Sequence, residues 1–335
     1  MYIEEAKFSL WCDFIERDFL EKDFPIMIAD KTVNGATSNP SIFKNAFLNS
    51  PAYKDDIKAL QGETPKAIYE ALAIKDIKLS ADILKELYNK EDDGFISIEV
   101  DPLLCDDSDA TIAEAKRLYR RIDAPNVMIK VPATKAGFIA MEALYAQGIN
   151  VNATLIFSPQ QAKGCLDAFE KGLDTFLKGD IKQKAPKAVI SIFVSRFDRK
   201  MNASLASKSL PVNRVGIYNA TAIYHDIKSR NIQGVRTLFA STGVKGDDLD
   251  AAYYITELLF SDCVNTAPIE TIEAFLKVAK THVTETTSKE DIASFFKTLE
   301  DENIDMNIIY EELMDEGLDA FKIAFKEILK QLEKG

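Results

Sequence analysis

Short apolar runs alternate with amphipathic stretches from one end of the chain to the other. The runs are Leu10–Ile15, Gly35–Asn39, Phe95–Val100, Val127–Val131, Val151–Phe157, Val189–Val194, Thr237–Ser241 and Cys263–Thr266. Between them the spacing of apolar positions predicts helices, the pattern of repeated βα units and a parallel sheet. Ser158 followed by Pro159 is an N-cap with proline at the first helical position. The helix from Asp107 has acidic residues in its first turn and Arg120 and Arg121 in its last, which suits the helix dipole. Ala67–Tyr88, Ala140–Ala146, Val215–Ile227, Leu249–Leu259, Ile269–Ala279, Lys289–Leu299 and Ile304–Leu332 also read as helices, with Gly317 expected to break or bend the last. Eight strand runs are what an α/β (β/α)8 TIM barrel requires.

No low-complexity linker or Pro/Gly-rich hinge interrupts the series, so one domain over residues 1–335 is expected. Extra helices should fill the gap between the second and third strands, Ser41 to Gly94. A helical extension over about 284–335 should pack over one face of the barrel or meet a partner chain.

The net charge of −12 argues against a nucleic-acid or anionic-membrane surface, since both reward basic patches. It leaves room for a phosphorylated small molecule, which needs only local cations. Cys12, Cys105, Cys165 and Cys263 lie far apart with no CxxC pair, and only His225 and His282 could join them. Neither a zinc site nor a disulfide framework is expected, and reduced thiols in the cytoplasm are the default. The start MYIEEAKFSLW shows no signal peptide and no membrane span.

Lys130 sits inside the strand NVMIKVPAT, on the same face as Met128. A lone lysine there could be an edge-strand residue whose amine reaches solvent. The sharper reading is an amine held in a dry barrel, with its pKa pushed down so that it can add to a carbonyl and form a Schiff base. Other strands support the second reading, because they carry polar groups toward their C-terminal ends, where such barrels build their sites. These are Asp13 in LWCDFI, Thr37, Asn39 and Ser41 in TSNPSIF, and Ser97, Glu99 and Asp101 on one face of FISIEVDP. Asn152 and Thr154 share a face of NVNATLIFS, Ser191 lies in VISIFVSRF, and Ser241 and Thr242 follow in LFASTGVKG. Each alone has a plain explanation as a cap, a turn residue or a surface side chain. Together, a lysine, two carboxylates and two asparagines within apolar strands would be costly without hydrogen-bonded partners. Arg196, Ser241 and Lys245, with Gly243 and Gly246 letting backbone amides approach, suggest an anion at the far end of the ligand.

TSNPSIF, ISIEVDP, MIKVPAT, NVNATLIFS, ISIFVSRFD and LFASTGVK, in this order, resemble the transaldolase family over nearly the whole chain. The likeness is to the longer branch rather than the short fructose-6-phosphate aldolase-like one. The resemblance implies reversible transfer of a dihydroxyacetone unit, with no metal or other cofactor, in the non-oxidative pentose phosphate pathway. The donor would be sedoheptulose 7-phosphate or fructose 6-phosphate, and the acceptor glyceraldehyde 3-phosphate or erythrose 4-phosphate. Lys130 then resembles the Schiff-base lysine and Asp13 the base that takes the C4 hydroxyl proton. Glu99 and Thr154 resemble the pair that positions the water of imine formation and hydrolysis. Asn39 and Asn152 match the amides that hold the dihydroxyacetone hydroxyls, with Thr37 and Ser191 beside them, and Arg196 and Ser241 match the phosphate site. The chain departs from the short forms where STGVK leaves Lys245 as the cation on the seventh strand. Lysine binds phosphate as a point charge, without the bidentate grip of arginine.

Two other functions stay open at this point. One is a lyase with the same lysine chemistry that releases free dihydroxyacetone; the other is a sugar-phosphate-binding barrel without catalysis. Monomer and homodimer are equally open.

Overall fold

The computed structural model describes residues 2–179, 184–246 and 249–333. Eight parallel strands close on themselves in chain order. They are β1 Ser9–Cys12, β2 Gly35–Thr37, β3 Phe95–Glu99, β4 Val127–Pro132, β5 Asn150–Ile156, β6 Ala188–Phe193, β7 Val235–Ala240 and β8 Cys263–Ala267. A parallel strand in a barrel is covered on both faces, which is why these segments are apolar runs rather than strict alternations. Trp11, Phe95, Met128, Val189, Leu238 and Val264 pack in the interior. Leu10, Ile96, Ile129, Val151, Ile190 and Phe239 pack outward against the helices.

The N-terminal end of the barrel is closed by Trp11. Its indole N–H donates to Asp93 Oδ2 at 3.0 Å, and Asp93 Oδ1 accepts from Arg236 at 2.6 Å. Gly35 faces the indole so closely that a Cβ there would lie 2.6 Å from it. Glycine is therefore required by contact, not by backbone conformation.

Local signals explain the helix starts. Asp107 accepts from the Ala110 N–H at 2.9 Å and opens the helix Ser108–Ile122. Ser158 and Gln161 form a reciprocal capping box on Pro159–Leu177. The expected helix at Leu249–Leu259 is confined to Tyr253–Glu257, because Asp250 turns the chain ahead of it by accepting from the Ala252 N–H at 2.8 Å. The region after β2 is helical as expected, with Pro40–Asn49 and Pro65–Asn89 as its main helices.

The terminal helix Met306–Leu332 runs unbroken for 27 residues through Gly317, against the expected break. Gly317 is buried there, and a Cβ would lie 2.9 Å from Leu155 Cδ2 and 3.3 Å from Arg196 Nη1. Packing onto the barrel outweighs the weak helix propensity of one glycine, about 1 kcal/mol. Leu313 and Phe321 of this helix belong to the same apolar cluster as the barrel interior. The helix thus covers the mouth. Tyr310 donates to Asn219 Oδ1 at 3.0 Å, and Lys200 pairs with Glu312 and Glu316 at 2.8 Å, which anchors its first half.

β5 contains one irregularity. Leu155 adopts the left-handed conformation at φ 58°, and the register to β6 shifts between Ala153 and Ile156. The shift sends Leu155 and Phe157 into the interior and Ile156 outward. Gln161 holds the distortion by donating to the Leu155 carbonyl at 3.0 Å and accepting from the Phe157 N–H at 2.9 Å.

Candidate active site

Lys130 lies inside the barrel with 5% of its surface exposed. Strand register sets it level with Glu99 on β3 and Asn152 on β5. Its Nζ is 3.8 Å from Glu99 Oε2 and donates to the Ser38 carbonyl at 3.2 Å. The Phe321 ring centroid is 5.9 Å away. Burial pushes the Glu99 carboxyl up to about 7, against the pull of Lys130 and with Asp13 adding to the rise. Glu99 Oε2 and Thr154 Oγ1 are both buried and make no hydrogen bond to a described residue. Both atoms are thus left able to take a hydrogen-bonding ligand, and the Glu99 oxygen stands beside the buried amine.

Asp13 follows β1 directly and is half-buried; its N–H donates to the Ala267 carbonyl at 2.8 Å. Its Oδ1 accepts from Thr37 Oγ1 at 2.6 Å. Thr37 Oγ1 is also 2.7 Å from Thr266 Oγ1, so Thr266 must be the donor of that second bond. Burial pushes the Asp13 carboxyl above its ordinary value, while Lys130 and the Thr37 hydrogen bond oppose the rise.

Asn152 is fully buried and locked at both ends. Its Nδ2 donates to Ser97 Oγ at 3.0 Å, and its Oδ1 accepts from Ser191 Oγ at 2.6 Å. Asn39 does two things at once. Its Oδ1 caps the helix Pro40–Asn49 by accepting from the Ser41 and Ile42 N–H groups, while its Nδ2 makes no hydrogen bond to a described residue. The turn reading of TSNP and the site reading are thus compatible. The polar face of β3 stops at Glu99, because Asp101 lies past the strand, accepting from the Leu103 N–H at 2.9 Å and pairing with Lys66 at 2.7 Å.

Toward the terminal helix, Arg196 occupies the first turn of the helix Ser195–Ser207 and stacks over the Phe193 ring at 5.1 Å. Among the described residues it has no acid partner within ion-pair distance. Burial lowers its pKa, and Arg199 adds to the effect while Glu316 opposes it. Ser241, at φ 55°, accepts through its carbonyl from the Ser195 N–H at 3.0 Å, and the two hydroxyls lie 3.2 Å apart. This joins the seventh strand to the Arg196 turn. Lys245 is exposed and touches no described residue by hydrogen bond or ion pair, unlike the half-buried Arg196.

Ser38, Thr266 and Phe321 were not singled out from the sequence. Ser38 acts through its carbonyl, which any residue supplies. Thr266 stands on β8, where a threonine is an ordinary strand residue. Phe321 reads as one more apolar position of a helix. Burial pushes the Cys12 thiol, next to Asp13, up strongly, and the Asp13 charge adds to the rise. The four cysteines are unpaired. Among the described residues, no group of three or more His, Cys, Asp or Glu could hold a metal ion, and no helix is long and apolar enough to cross a membrane.

The family described as Transaldolase/Fructose-6-phosphate aldolase matches residues 10–332. A protein of Campylobacter jejuni subsp. jejuni serotype O:23/36 (strain 81-176), named Transaldolase, is 50% identical over 330 residues, covering 97% of this chain and 99% of that one. A protein of Helicobacter pylori (strain P12), also named Transaldolase, is 44% identical over 325 residues, covering 97% of this chain and 99% of that one.

Proposed function

Since the chain belongs to the transaldolase/fructose-6-phosphate aldolase family and acts as a transaldolase within it, we propose that it moves a dihydroxyacetone unit between sugar phosphates through a Schiff base on Lys130. The observation that carries this reading is the buried amine itself, level with Glu99 and Asn152 and 3.8 Å from the Glu99 carboxyl. Lys130 attacks the C2 carbonyl of the ketose, and loss of water gives the imine. Glu99, whose carboxyl is held near 7, exchanges protons at neutral pH, and Thr154 orients the water it works through. The imine withdraws electrons from C3. Asp13, steered by Thr37, takes the C4 hydroxyl proton as the C3–C4 bond breaks, which leaves an enamine on Lys130.

Asn152, fixed between Ser97 and Ser191, and Asn39 present amides to the hydroxyls of the three-carbon unit. Arg196 and Ser241 take the phosphate, and Lys245 contributes at most long-range charge from its exposed position. The C3 carbon of the enamine then adds to the aldehyde of the acceptor, and Asp13 returns its proton to the new hydroxyl. Four unpaired cysteines favour a reducing compartment, the cytoplasm.

Borohydride reduction in the presence of fructose 6-phosphate, followed by peptide mass spectrometry, tests this directly. A reduced three-carbon adduct on Lys130 is expected. An adduct on another lysine, or none on the folded protein, overturns the assignment.

A further inference from the structure

Resting on the Schiff-base reading above, we propose that Phe321 of the terminal helix is a specificity-determining residue, a dry wedge that keeps the Lys130 enamine for transfer and away from release. The ring is 4% exposed and belongs to the apolar cluster of the barrel interior, although the residue lies nearly two hundred positions beyond Lys130 in the chain. Its centroid stands 5.9 Å from Lys130 Nζ. Polar groups around the amine include Glu99, the Ser38 carbonyl and the Asp13 carboxyl, which feels the charge of the lysine, while Asn152 lies level with it on β5. Phe321 supplies an apolar wall to the same amine from outside the barrel.

The seat of the wedge is built. Gly317, one helical turn before Phe321, lets the helix approach until a Cβ would lie 2.9 Å from Leu155 Cδ2. Leu155 meets it there because the left-handed turn in β5 sends the leucine inward. Gln161 ties this strand segment to the helix by donating to Met314 Sδ at 3.3 Å as well as to the Leu155 carbonyl. One turn further on, Phe325 packs edge-on against Tyr69 at 5.1 Å. The ring is therefore fixed on both sides along its helix.

The chemistry makes such a wall consequential. After C3–C4 cleavage the electron pair resides on C3 of the enamine, and the proton of the C4 hydroxyl on Asp13. In transfer, C3 bonds to the aldehyde carbon and the Asp13 proton goes to the new alkoxide. In release, a solvent proton adds to C3, one water hydrolyses the imine and Asp13 gives its proton up to solvent, which yields free dihydroxyacetone and restores both the Lys130 amine and the Asp13 carboxylate. Both outcomes begin from the same enamine, and only the second needs solvent at C3. Excluding water prevents this loss of a reactive intermediate.

The test incubates the wild-type enzyme and the variants Phe321→Ala, Phe321→Val and Phe321→Leu with fructose 6-phosphate, with and without erythrose 4-phosphate. Free dihydroxyacetone is measured against transferred product, and borohydride adducts are mapped in each protein. Phe321→Ala should raise the ratio of release to transfer about tenfold, Phe321→Val less, and Phe321→Leu by under about threefold, with the adduct still on Lys130. If Phe321→Ala does not fold, the order of Val above Leu decides. A ratio that stays at the wild-type value in the opened variants, or rises as far in Phe321→Leu as in them, overturns the wedge. Loss of the Lys130 adduct in the wild-type enzyme would instead overturn the Schiff-base reading beneath it.

Discussion

Glu99 and Lys130 are register partners on adjacent strands, with Oε2 and Nζ 3.8 Å apart and 3% and 6% of their side chains exposed. Neutralisation by the lysine is incomplete, since burial still lifts the glutamate to about 7. Folding therefore holds the Glu99 proton more tightly than the unfolded chain does. The associated stabilisation is full below the ordinary value of 4.5 and is lost as pH rises through about 7. Glu99→Gln, which cannot ionise, should match the wild type near pH 4.5 and gain on it by on the order of 1–3 kcal/mol at pH 8. Urea unfolding at the two pH values measures this. A gap that does not change with pH would remove the buried-charge account.

The same substitution separates stability from catalysis. Glu99→Gln should slow imine formation by about 10²–10⁴-fold and erase the limb of the kcat profile near pH 7. Single-turnover trapping across pH distinguishes this from a general loss of folding.

Thr37→Val takes away the 2.6 Å hydrogen bond to Asp13, one of the two influences that oppose the rise caused by burial. The carboxyl should then move further up, so that the limb of kcat/KM assigned to Asp13 shifts to higher pH. The rate at the plateau should fall by roughly 5–30-fold, the worth of about 1–2 kcal/mol for one hydrogen bond to a charged group. A profile with an unmoved limb would mean that Thr37 serves packing alone.

Arg196 and Lys245 offer unequal cations to a phosphate. The first is half-buried, stacked on Phe193 and without an acid partner among the described residues; the second is exposed and makes no contact with them. Arg196→Ala should raise KM for fructose 6-phosphate by about 10²-fold, since a partly desolvated charged hydrogen bond is lost. Lys245→Ala should change it by less than about threefold, as expected of screened surface charge. Steady-state kinetics with both variants decide between them. The reverse order would hand the phosphate to Lys245.

Gly35→Ala puts a methyl 2.6 Å from the buried Trp11 indole, whose ring is also held by Asp93. Overpacking of this kind costs about 1–3 kcal/mol. The midpoint of urea unfolding should fall accordingly, while KM remains at its wild-type value because the clash lies at the opposite end of the barrel from Lys130.

Burial on both faces wrote the strands into the sequence as apolar runs, and the polar exceptions to that rule, Lys130, Glu99 and Asn152, were for the same reason visible as site candidates. Their mutual level needs strand stagger, which no single run contains. Leu155 was unreadable, because leucine is no marker of a left-handed residue and the inward turn is imposed by its neighbours. Gly317 was read through its weak helix propensity and missed as a point of close approach. Phe321 was hidden for a related cause: an apolar residue on an amphipathic helix announces burial, not what it will be buried against.

Trp11 is the single tryptophan of the chain, sealed at the floor of the barrel. Its light emission therefore gives the molecule a built-in optical gauge. A blue-shifted signal reports a closed floor and a red-shifted one its opening to water, in the presence of any substrate and without a label.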